Sequence, residues 1–298
     1  MSPALSWDRD GHDWPHRAAS RFVQAGGLRW HVQRMGDGPV ALLIHGTGAS
    51  THSWRGLMPL LARRFTVVAM DLPGHAFTDT PPPLQLSLPG MANAIAALVE
   101  ALGLDVSLLV GHSAGAAIAA RLVLDEVLVP SPLVAINGAF LPLAGLPGLL
   151  FPPVARLMAA TPLAPQLFAR RTWDRAAVEK LIGGTGSTLD ANGLALYGTL
   201  VRDARHAAGA LGMMARWDLR SLAHDLARLE TPLALIVGAN DRAVPPRDAQ
   251  RMRALVPATT PCTLDLVRGA GHLVHEERPG DVARHIFSAL RADQGMPA

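Results

Sequence analysis

The sequence predicts one α/β domain with a mostly parallel central β-sheet flanked by helices, and three observations lead to this prediction. Short apolar runs alternate with longer segments of helical periodicity along most of the chain. One of these runs passes through the pentapeptide GHSAG, residues 111–115, directly into an Ala-rich helical segment. A single interval, residues 139–215, contains no strand-like run and therefore indicates an insertion.

The predicted strands follow one another in a simple order. Residues 22–23 and 28–33, around Gly26-Gly27, are expected to form an N-terminal antiparallel hairpin. Six apolar runs are typical of buried strands and cover residues 40–44, 66–70, 106–110, 132–136, 233–237 and 262–267. Helical periodicity falls between them, over residues 91–102, 114–124, 248–255 and 279–290. The insertion is thus a helical lid after the sixth strand, with a core of residues 1–138 and 216–298.

Composition and charge exclude several classes of protein. The chain is 49% hydrophobic and 17% charged, which is too apolar for a disordered chain. A single cysteine, Cys262, excludes a disulfide framework or a cysteine-rich metal centre. The pI is near 9.9 because arginine stays charged to high pH. Lys180 is the one lysine among the 27 basic residues, and the others are arginines. No nucleic-acid motif accompanies these arginines, and no apolar leader or membrane-spanning segment is apparent, so a cytoplasmic protein is expected.

The pentapeptide GHSAG carries the sharpest chemical signal. It lies between a predicted strand and a predicted helix, which is the setting of a nucleophile elbow. The two glycines permit a sharp turn, and Ser113 would project from it above the sheet. The following helix N-terminus can stabilise developing negative charge. Ser113 is therefore the predicted nucleophile.

A serine nucleophile needs a base and an acid that orients the base. Asp241 follows the predicted strand at residues 233–237, and His272 follows the last strand. The order Ser, Asp, His along the chain is the one expected for a nucleophile elbow on such a sheet. Asn137 lies at an alternative position for the acid, but an amide cannot stabilise an imidazolium ion.

The backbone N–H groups of Ala114 and Thr47 are the predicted oxyanion hole, with Gly48 as a second choice to Thr47. Further residues are candidates to line a substrate pocket because they lie in the same loops. No histidine or carboxylate pattern has metal-ligand spacing, so neither a metal nor a cofactor is predicted. The pocket candidates are His45, Gly46, Gly48, His112, Asn137 and Phe140.

Five motifs in order resemble the α/β-hydrolase superfamily: HG at 45–46, DLPGH at 71–75, GHSAG at 111–115, GAND at 238–241 and GH at 271–272. The resemblance implies the α/β-hydrolase fold and a Ser-His-Asp hydrolase. A serine at position 113 argues against the dehalogenase and epoxide hydrolase branches, which use aspartate. Ala76 stands where the family carries glycine, so the loop at residues 71–76 is expected to have a different shape.

Three stretches are also similar to the magnesium-chelatase accessory proteins of bacteriochlorophyll biosynthesis. They are residues 13–17 with 27–33, residues 45–54 and residues 136–142. This resemblance implies a role near magnesium insertion into a tetrapyrrole, with chelatase subunits as partners and a location at the periphery of the photosynthetic membrane. A ring with carboxylate side chains would suit the Arg-rich lid, which carries Arg156, Arg170, Arg171, Arg175, Arg202 and Arg205. Solvent-exposed helix faces would account equally for these arginines.

Three functions are thus open from the sequence. The first is a serine hydrolase acting on an ester, thioester or related acyl bond, associated with bacteriochlorophyll biosynthesis. The second is a non-catalytic tetrapyrrole-binding or chelatase-assisting protein. The third is a cofactor-free haloperoxidase or esterase of general acyl specificity, which would use the same three residues.

Overall fold

A central sheet of eight strands organises the computed structural model, which describes residues 5–142 and 174–293 together with Gln166 and Ala169. The order across the sheet is β1-β2-β4-β3-β5-β6-β7-β8. The pairs β1–β2 and β2–β4 are antiparallel, and every other pair is parallel. The strands are Ser20–Ala25 (β1), Leu28–Met35 (β2), Val40–Ile44 (β3), Thr66–Met70 (β4), Val106–His112 (β5), Leu133–Ile136 (β6), Leu233–Gly238 (β7) and Cys262–Val267 (β8). The predicted hairpin and mostly parallel sheet are therefore confirmed.

Helices cover both faces of this sheet. Those before the insertion are Trp7–Asp10 (α1), Met58–Leu61 (α2), Leu88–Ala101 (α3) and Ala114–Leu124 (α4). The insertion contributes Arg175–Gly184 (α5), Ala191–Val201 (α6) and Ala204–Ala215 (α7). Arg220–Asp225 (α8), Pro246–Leu255 (α9), Val274–Glu277 (α10) and Pro279–Asp293 (α11) follow.

The sheet is buried on both faces, which explains why its strands are continuously apolar in sequence. Successive side chains of a strand point to opposite faces. On β3, Leu42 packs on one side with Ile95 of α3 and Ile118 of α4. Its neighbour Leu43 packs on the other side with Ile286 of α11. Each such buried leucine or isoleucine contributes about 1.5–3 kcal/mol through removal of apolar surface from water.

Parallel pairing brings the carboxyl ends of six strands, β3 to β8, to one edge of the sheet. His112 at the end of β5 pairs with Ile136 of β6, which pairs with Ile236 of β7. Gly238 then pairs with Val267 of β8. The loops after these strands lie side by side for this reason, and functional residues of parallel α/β sheets gather at this edge.

Residues 174–215, the longest described stretch of the insertion, are called the cap below. Each of its three helices begins with an aspartate whose side chain accepts a backbone N–H three residues further on, which is the usual reason for a helix to start there. These N-caps are Asp174, Asp190 and Asp203, with distances of 2.8, 2.6 and 2.7 Å. The boundaries at residues 139 and 215 stay a prediction, since residues 143–165 lie outside the described residues.

The arginines predicted in the lid fall into two groups. Arg156, Arg170 and Arg171 lie outside the described residues. Arg175, Arg202 and Arg205 are exposed, and Arg205 donates to the carbonyl oxygen of Leu5 at 2.6 Å. The exposure of Arg175 and Arg202 favours solvated helix faces, whereas Arg205 also lines a cavity together with Leu5, Trp7 and Asp79.

Candidate active site

The pentapeptide GHSAG forms a sharp strand-to-helix turn in which Ser113 takes the strained angles φ 52° and ψ −120°. Two close contacts explain the flanking glycines. A Cβ on Gly111 would lie 2.4 Å from the Cα of Ala116, and a Cβ on Gly115 would lie 2.1 Å from the carbonyl oxygen of Ile44. The turn therefore requires glycine on both sides of the serine, as a nucleophile elbow does.

Asp241 and His272 are brought together by the loops that follow β7 and β8. Asp241 Oδ2 lies 2.8 Å from His272 Nδ1, and the Asp241 side chain is fully buried. The second oxygen, Oδ1, accepts the backbone N–H groups of Ala243 and Val244 at 2.8 and 2.9 Å. An ionised aspartate is an acceptor only, so His272 donates from Nδ1 and keeps Nε2 free to accept a proton.

His112, the residue before Ser113, connects this pair to the elbow. Its ring lies 4.8 Å from the His272 ring, and its Nε2 donates to the His272 carbonyl oxygen at 2.9 Å. Burial lowers the pKa of His112 well below its ordinary value, so the ring stays neutral and serves as a donor through one nitrogen. The predicted base therefore lies beside the predicted nucleophile.

Asn137 links three chain segments at the end of β6. It is buried with φ 44°, and its Nδ2 donates to the carbonyl oxygens of Gly271 and His272 at 2.9 and 2.6 Å. Its Oδ1 accepts the N–H of Gly238 at 2.8 Å. These bonds need a group that both donates and accepts, which an ionised carboxylate cannot do. Asn137 thus bonds to backbone groups, whereas Asp241 contacts the His272 ring nitrogen Nδ1.

The loop after β3 lies directly against the elbow. A Cβ on Gly46 would lie 2.9 Å from the Cβ of Ser113, and Gly48 has φ 77°. Thr47 donates through Oγ1 to Met213 Sδ of the cap at 3.4 Å. Ala114 is the first residue of α4, at the helix N-terminus. The assignment of the Thr47 and Ala114 amides as an oxyanion hole stays a prediction.

His45 and Phe140, two of the pocket candidates, are buried in the protein interior. His45 Nε2 accepts the N–H of Leu72 at 2.8 Å, and its Nδ1 donates to the Gly46 carbonyl at 2.8 Å. Burial lowers the pKa of His45 to about 3, so it is neutral at physiological pH. Phe140 packs into the core, with its ring against Gly138. Neither side chain is exposed, so their predicted role in lining a pocket gains no support from the structure.

His206 of α7 is a residue that the sequence did not single out. Its Nδ1 accepts the N–H of Ala76 at 3.0 Å, and its Nε2 donates to the Gly48 carbonyl at 3.2 Å. The cap thereby joins the loop at residues 71–76 to the loop after β3. Burial lowers the pKa of His206 to about 4, which keeps the ring neutral and able to accept. No motif in the cap sequence could have identified this histidine.

Ala76 adopts a backbone conformation that the sequence argument excluded for alanine, since its φ is 41°, in the left-handed region. The hydrogen bond from its N–H to His206 holds it there. The expected difference in loop shape from the family stays a prediction. The loop also contacts the cap backbone, since a Cβ on Gly209 would lie 1.9 Å from the Gly74 carbonyl oxygen.

Ala76→Gly is expected to raise the free energy of unfolding by about 0.5–1 kcal/mol. The left-handed conformation costs a residue with a Cβ about 1–2 kcal/mol, and the greater freedom of glycine in the unfolded chain offsets part of the gain. Urea unfolding would measure the change. Ala195→Gly, at an exposed site within α6, is the control and should lower stability by about 1 kcal/mol. Loss of stability in both variants would contradict the explanation.

Two more buried groups adjoin the loop after β8 that carries His272, which is called the base loop below. His275 is fully buried between Trp54 and His112, at ring distances of 4.7 and 4.2 Å. Glu276 accepts hydrogen bonds from the Arg55 guanidinium and, at 2.8 Å, from the Tyr197 hydroxyl of the cap. The sequence did not indicate this contact between the base loop and the cap.

The described residues contain neither a membrane-spanning helix nor a cluster of metal ligands. None of their helices is both long and apolar enough to cross a membrane. No three of their His, Cys, Asp or Glu side chains group together in a way that would hold a metal ion.

Comparison with known proteins gives the family. The family model described as alpha/beta hydrolase family matches residues 41–285. The magnesium-chelatase 30 kDa subunit of Rhodobacter capsulatus is 39% identical over 267 residues, 89% of this chain and 92% of the relative. Both resemblances stated from the sequence are thus confirmed.

Solved structures agree on the fold. An alpha/beta hydrolase fold protein from Burkholderia ambifaria aligns with a TM-score of 0.74 and 24% identity, over 91% of this chain and 97% of the other. A serine hydrolase involved in carbazole degradation aligns with a TM-score of 0.71 and 21% identity, over 92% and 98%. At these identities the likeness shows the fold alone, and the predicted fold is confirmed. With the family match over most of its length, the chain belongs to the alpha/beta hydrolase family.

Proposed function

We propose that the protein is a serine hydrolase that cleaves an ester, thioester or related acyl bond. The observation that carries this proposal is the buried Asp241–His272 pair, which lies beside the strained turn at Ser113. A pair of this kind next to an elbow serine is the arrangement that activates a hydroxyl for acyl transfer.

The geometry supports a two-step reaction. Ser113 Oγ attacks the acyl carbonyl while His272 Nε2 takes its proton, and Asp241 stabilises the imidazolium ion. The amides of Thr47 and Ala114 would bind the oxyanion, and the leaving group departs with the proton from His272. Water then attacks the acyl-enzyme with His272 again as base, which releases the acid and restores the serine hydroxyl.

The biological setting comes from the relative in Rhodobacter capsulatus, which is named as a subunit of magnesium chelatase. We infer that this chain acts in bacteriochlorophyll biosynthesis near the chelatase step, on a tetrapyrrole or in contact with one, with chelatase subunits as partners. Cytoplasmic location at the periphery of the photosynthetic membrane is part of the same inference. The relative's name equally favours a second candidate, a chelatase-assisting protein that does not catalyse.

Labelling by a fluorophosphonate tests the catalytic proposal. We expect stoichiometric labelling of the wild type and none of Ser113→Ala, because the reagent needs an activated serine. Ser288→Ala, which removes an exposed hydroxyl on α11, should label like the wild type. Wild-type protein that is folded by circular dichroism and stays unlabelled would defeat the proposal.

Genetic complementation separates the two candidates. Ser113→Ala would be expressed in place of the wild-type gene, and bacteriochlorophyll would be extracted and measured. A hydrolase predicts loss of pigment with normal amounts of protein. Full pigment with an unlabelled variant would favour the chelatase-assisting function.

A further inference from the structure

The segment that joins the cap helices α5 and α6 lies between the loop of Asp241 and the loop of His272. On the aspartate side, Arg242 donates its N–H to the Thr185 carbonyl at 3.0 Å. Gly186, with φ 85°, approaches so closely that a Cβ there would lie 2.0 Å from the Asn240 carbonyl oxygen. The segment therefore contacts the residues on both sides of Asp241 in the chain.

The same segment contacts the histidine side. A Cβ on Gly271 would lie 2.3 Å from the carbonyl group of Gly186. Ser187 is 3% exposed, and its Oγ accepts the N–H of Leu273 at 2.8 Å. The residues before and after His272 are thus both in contact with the cap, by backbone packing and by a hydrogen bond.

A carboxylate strengthens this connection. Glu277 Oε1 accepts the N–H of Gly271 at 2.9 Å, and its Oε2 accepts the N–H of Thr188 at 3.3 Å. The two catalytic loops also bond to each other, since Asn240 donates its N–H to the Ala270 carbonyl at 2.8 Å. Each loop is therefore fixed by the other and by the cap.

We propose that residues 185–187 are a positioning element that holds Asp241 and His272 in register, with Ser187 as its principal hydrogen-bonding group. The inference rests on the proposed hydrolase function. The two side chains belong to separate loops, so their 2.8 Å contact depends on what fixes those loops. A displacement of about 1 Å in such a group can cost about 100-fold in rate. Movement of the cap would then change how effectively His272 takes the proton from Ser113, whatever the substrate.

A segment that only anchors the cap would show the same contacts, so the test must separate the two roles. Ser187→Ala removes the acceptor for Leu273, and Thr199→Ala is the matched control. The Thr199 hydroxyl donates within its own helix, to the Ala195 carbonyl at 3.2 Å. Both variants lose one hydroxyl from the cap, and only the first touches the loop of His272.

The first readout is the second-order rate of fluorophosphonate labelling as a function of pH, per folded molecule. We expect Ser187→Ala to react about 10- to 100-fold more slowly with a displaced pH midpoint, and Thr199→Ala to match the wild type. Ser187→Thr keeps the acceptor oxygen and should recover most of the rate. An unchanged rate and pH midpoint in Ser187→Ala would overturn the inference.

The second readout does not need a reactive serine. The His272 Nδ1 proton should give a far-downfield NMR signal, identified by its absence in Asp241→Asn. We expect this signal to shift or broaden in Ser187→Ala and to stay unchanged in Thr199→Ala. If Ser187→Ala does not fold, Glu277→Gln takes its place, because it alters the contact of Glu277 with the Gly271 and Thr188 N–H groups. An unlabelled wild type with a perturbed signal in Ser187→Ala would refute the hydrolase function alone, whereas an unperturbed signal would refute the positioning role.

Discussion

Asp241→Asn is expected to lower kcat for acyl hydrolysis by about 10⁴-fold while the protein stays folded. The reason lies in the two bonds to Oδ1. The Ala243 and Val244 N–H groups require an oxygen at that position, so the asparagine would place its carbonyl there. Its NH₂ group would then donate to His272 Nδ1. That fixes the proton on Nε2, and the ring can no longer take a proton from Ser113.

Hydrolysis of a chromogenic ester measures the effect, with thermal unfolding as the check on folding. Asn137→Asp in the Asp241→Asn background is the informative second variant. It places a carboxylate at the alternative acid position, but Asn137 is bound to the Gly271 and His272 carbonyls, which a carboxylate cannot donate to. We expect no recovery of kcat. Recovery would show that the acid can act from β6 and would contradict the assignment to Asp241.

The sequence could predict those parts of the fold and of the candidate site that neighbouring residues determine. The elbow is an example, because the apolar run, the two glycines and the Ala-rich helix lie within a few residues of Ser113. Asp241 and His272 were found in the same way, each directly after an apolar run. Whether these residues catalyse stays a prediction that the labelling experiment tests.

Contacts between distant segments were not predictable. Ser187 meets Leu273 across 86 residues, and His206 meets Ala76 across 130. Neither residue belongs to a motif, and each has a role only because the cap packs on the sheet edge. The backbone conformation of Ala76 was missed for the same reason. The expectation considered only the backbone angles that alanine prefers, and not the hydrogen bond to the distant His206. The cap is thus the part of the site about which the sequence said least.

The buried ion pair of Arg55 and Glu276 offers the largest expected effect on stability. Burial raises the pKa of Glu276 from 4.5 to about 7, against the attraction of Arg55 and the hydrogen bond from Tyr197. A raised pKa means that the folded state binds the proton more tightly than the unfolded chain. The stability that this carboxyl contributes is therefore complete below about pH 4.5 and is lost as the pH rises through 7.

Arg55→Met removes the opposing attraction and should raise the pKa of Glu276 further. We expect the variant to lose about 3–5 kcal/mol of unfolding free energy near pH 8.5, where an unpaired charge would be buried. The loss near pH 6 should be smaller, because Glu276 is then largely protonated in both proteins. Urea unfolding at the two pH values measures this difference.

The double variant Arg55→Met/Glu276→Gln decides what the loss represents. If it comes from a buried unpaired carboxylate, removal of that charge should restore most of the stability and abolish the difference between the two pH values. Among the described residues, Arg55 also forms an ion pair with Asp190, which is largely exposed and adds little. Arg220→Met, which breaks an exposed pair with Asp218, should leave stability unchanged at both pH values. A pH-independent loss in Arg55→Met would instead assign the effect to lost packing of the arginine side chain between the base loop and the cap.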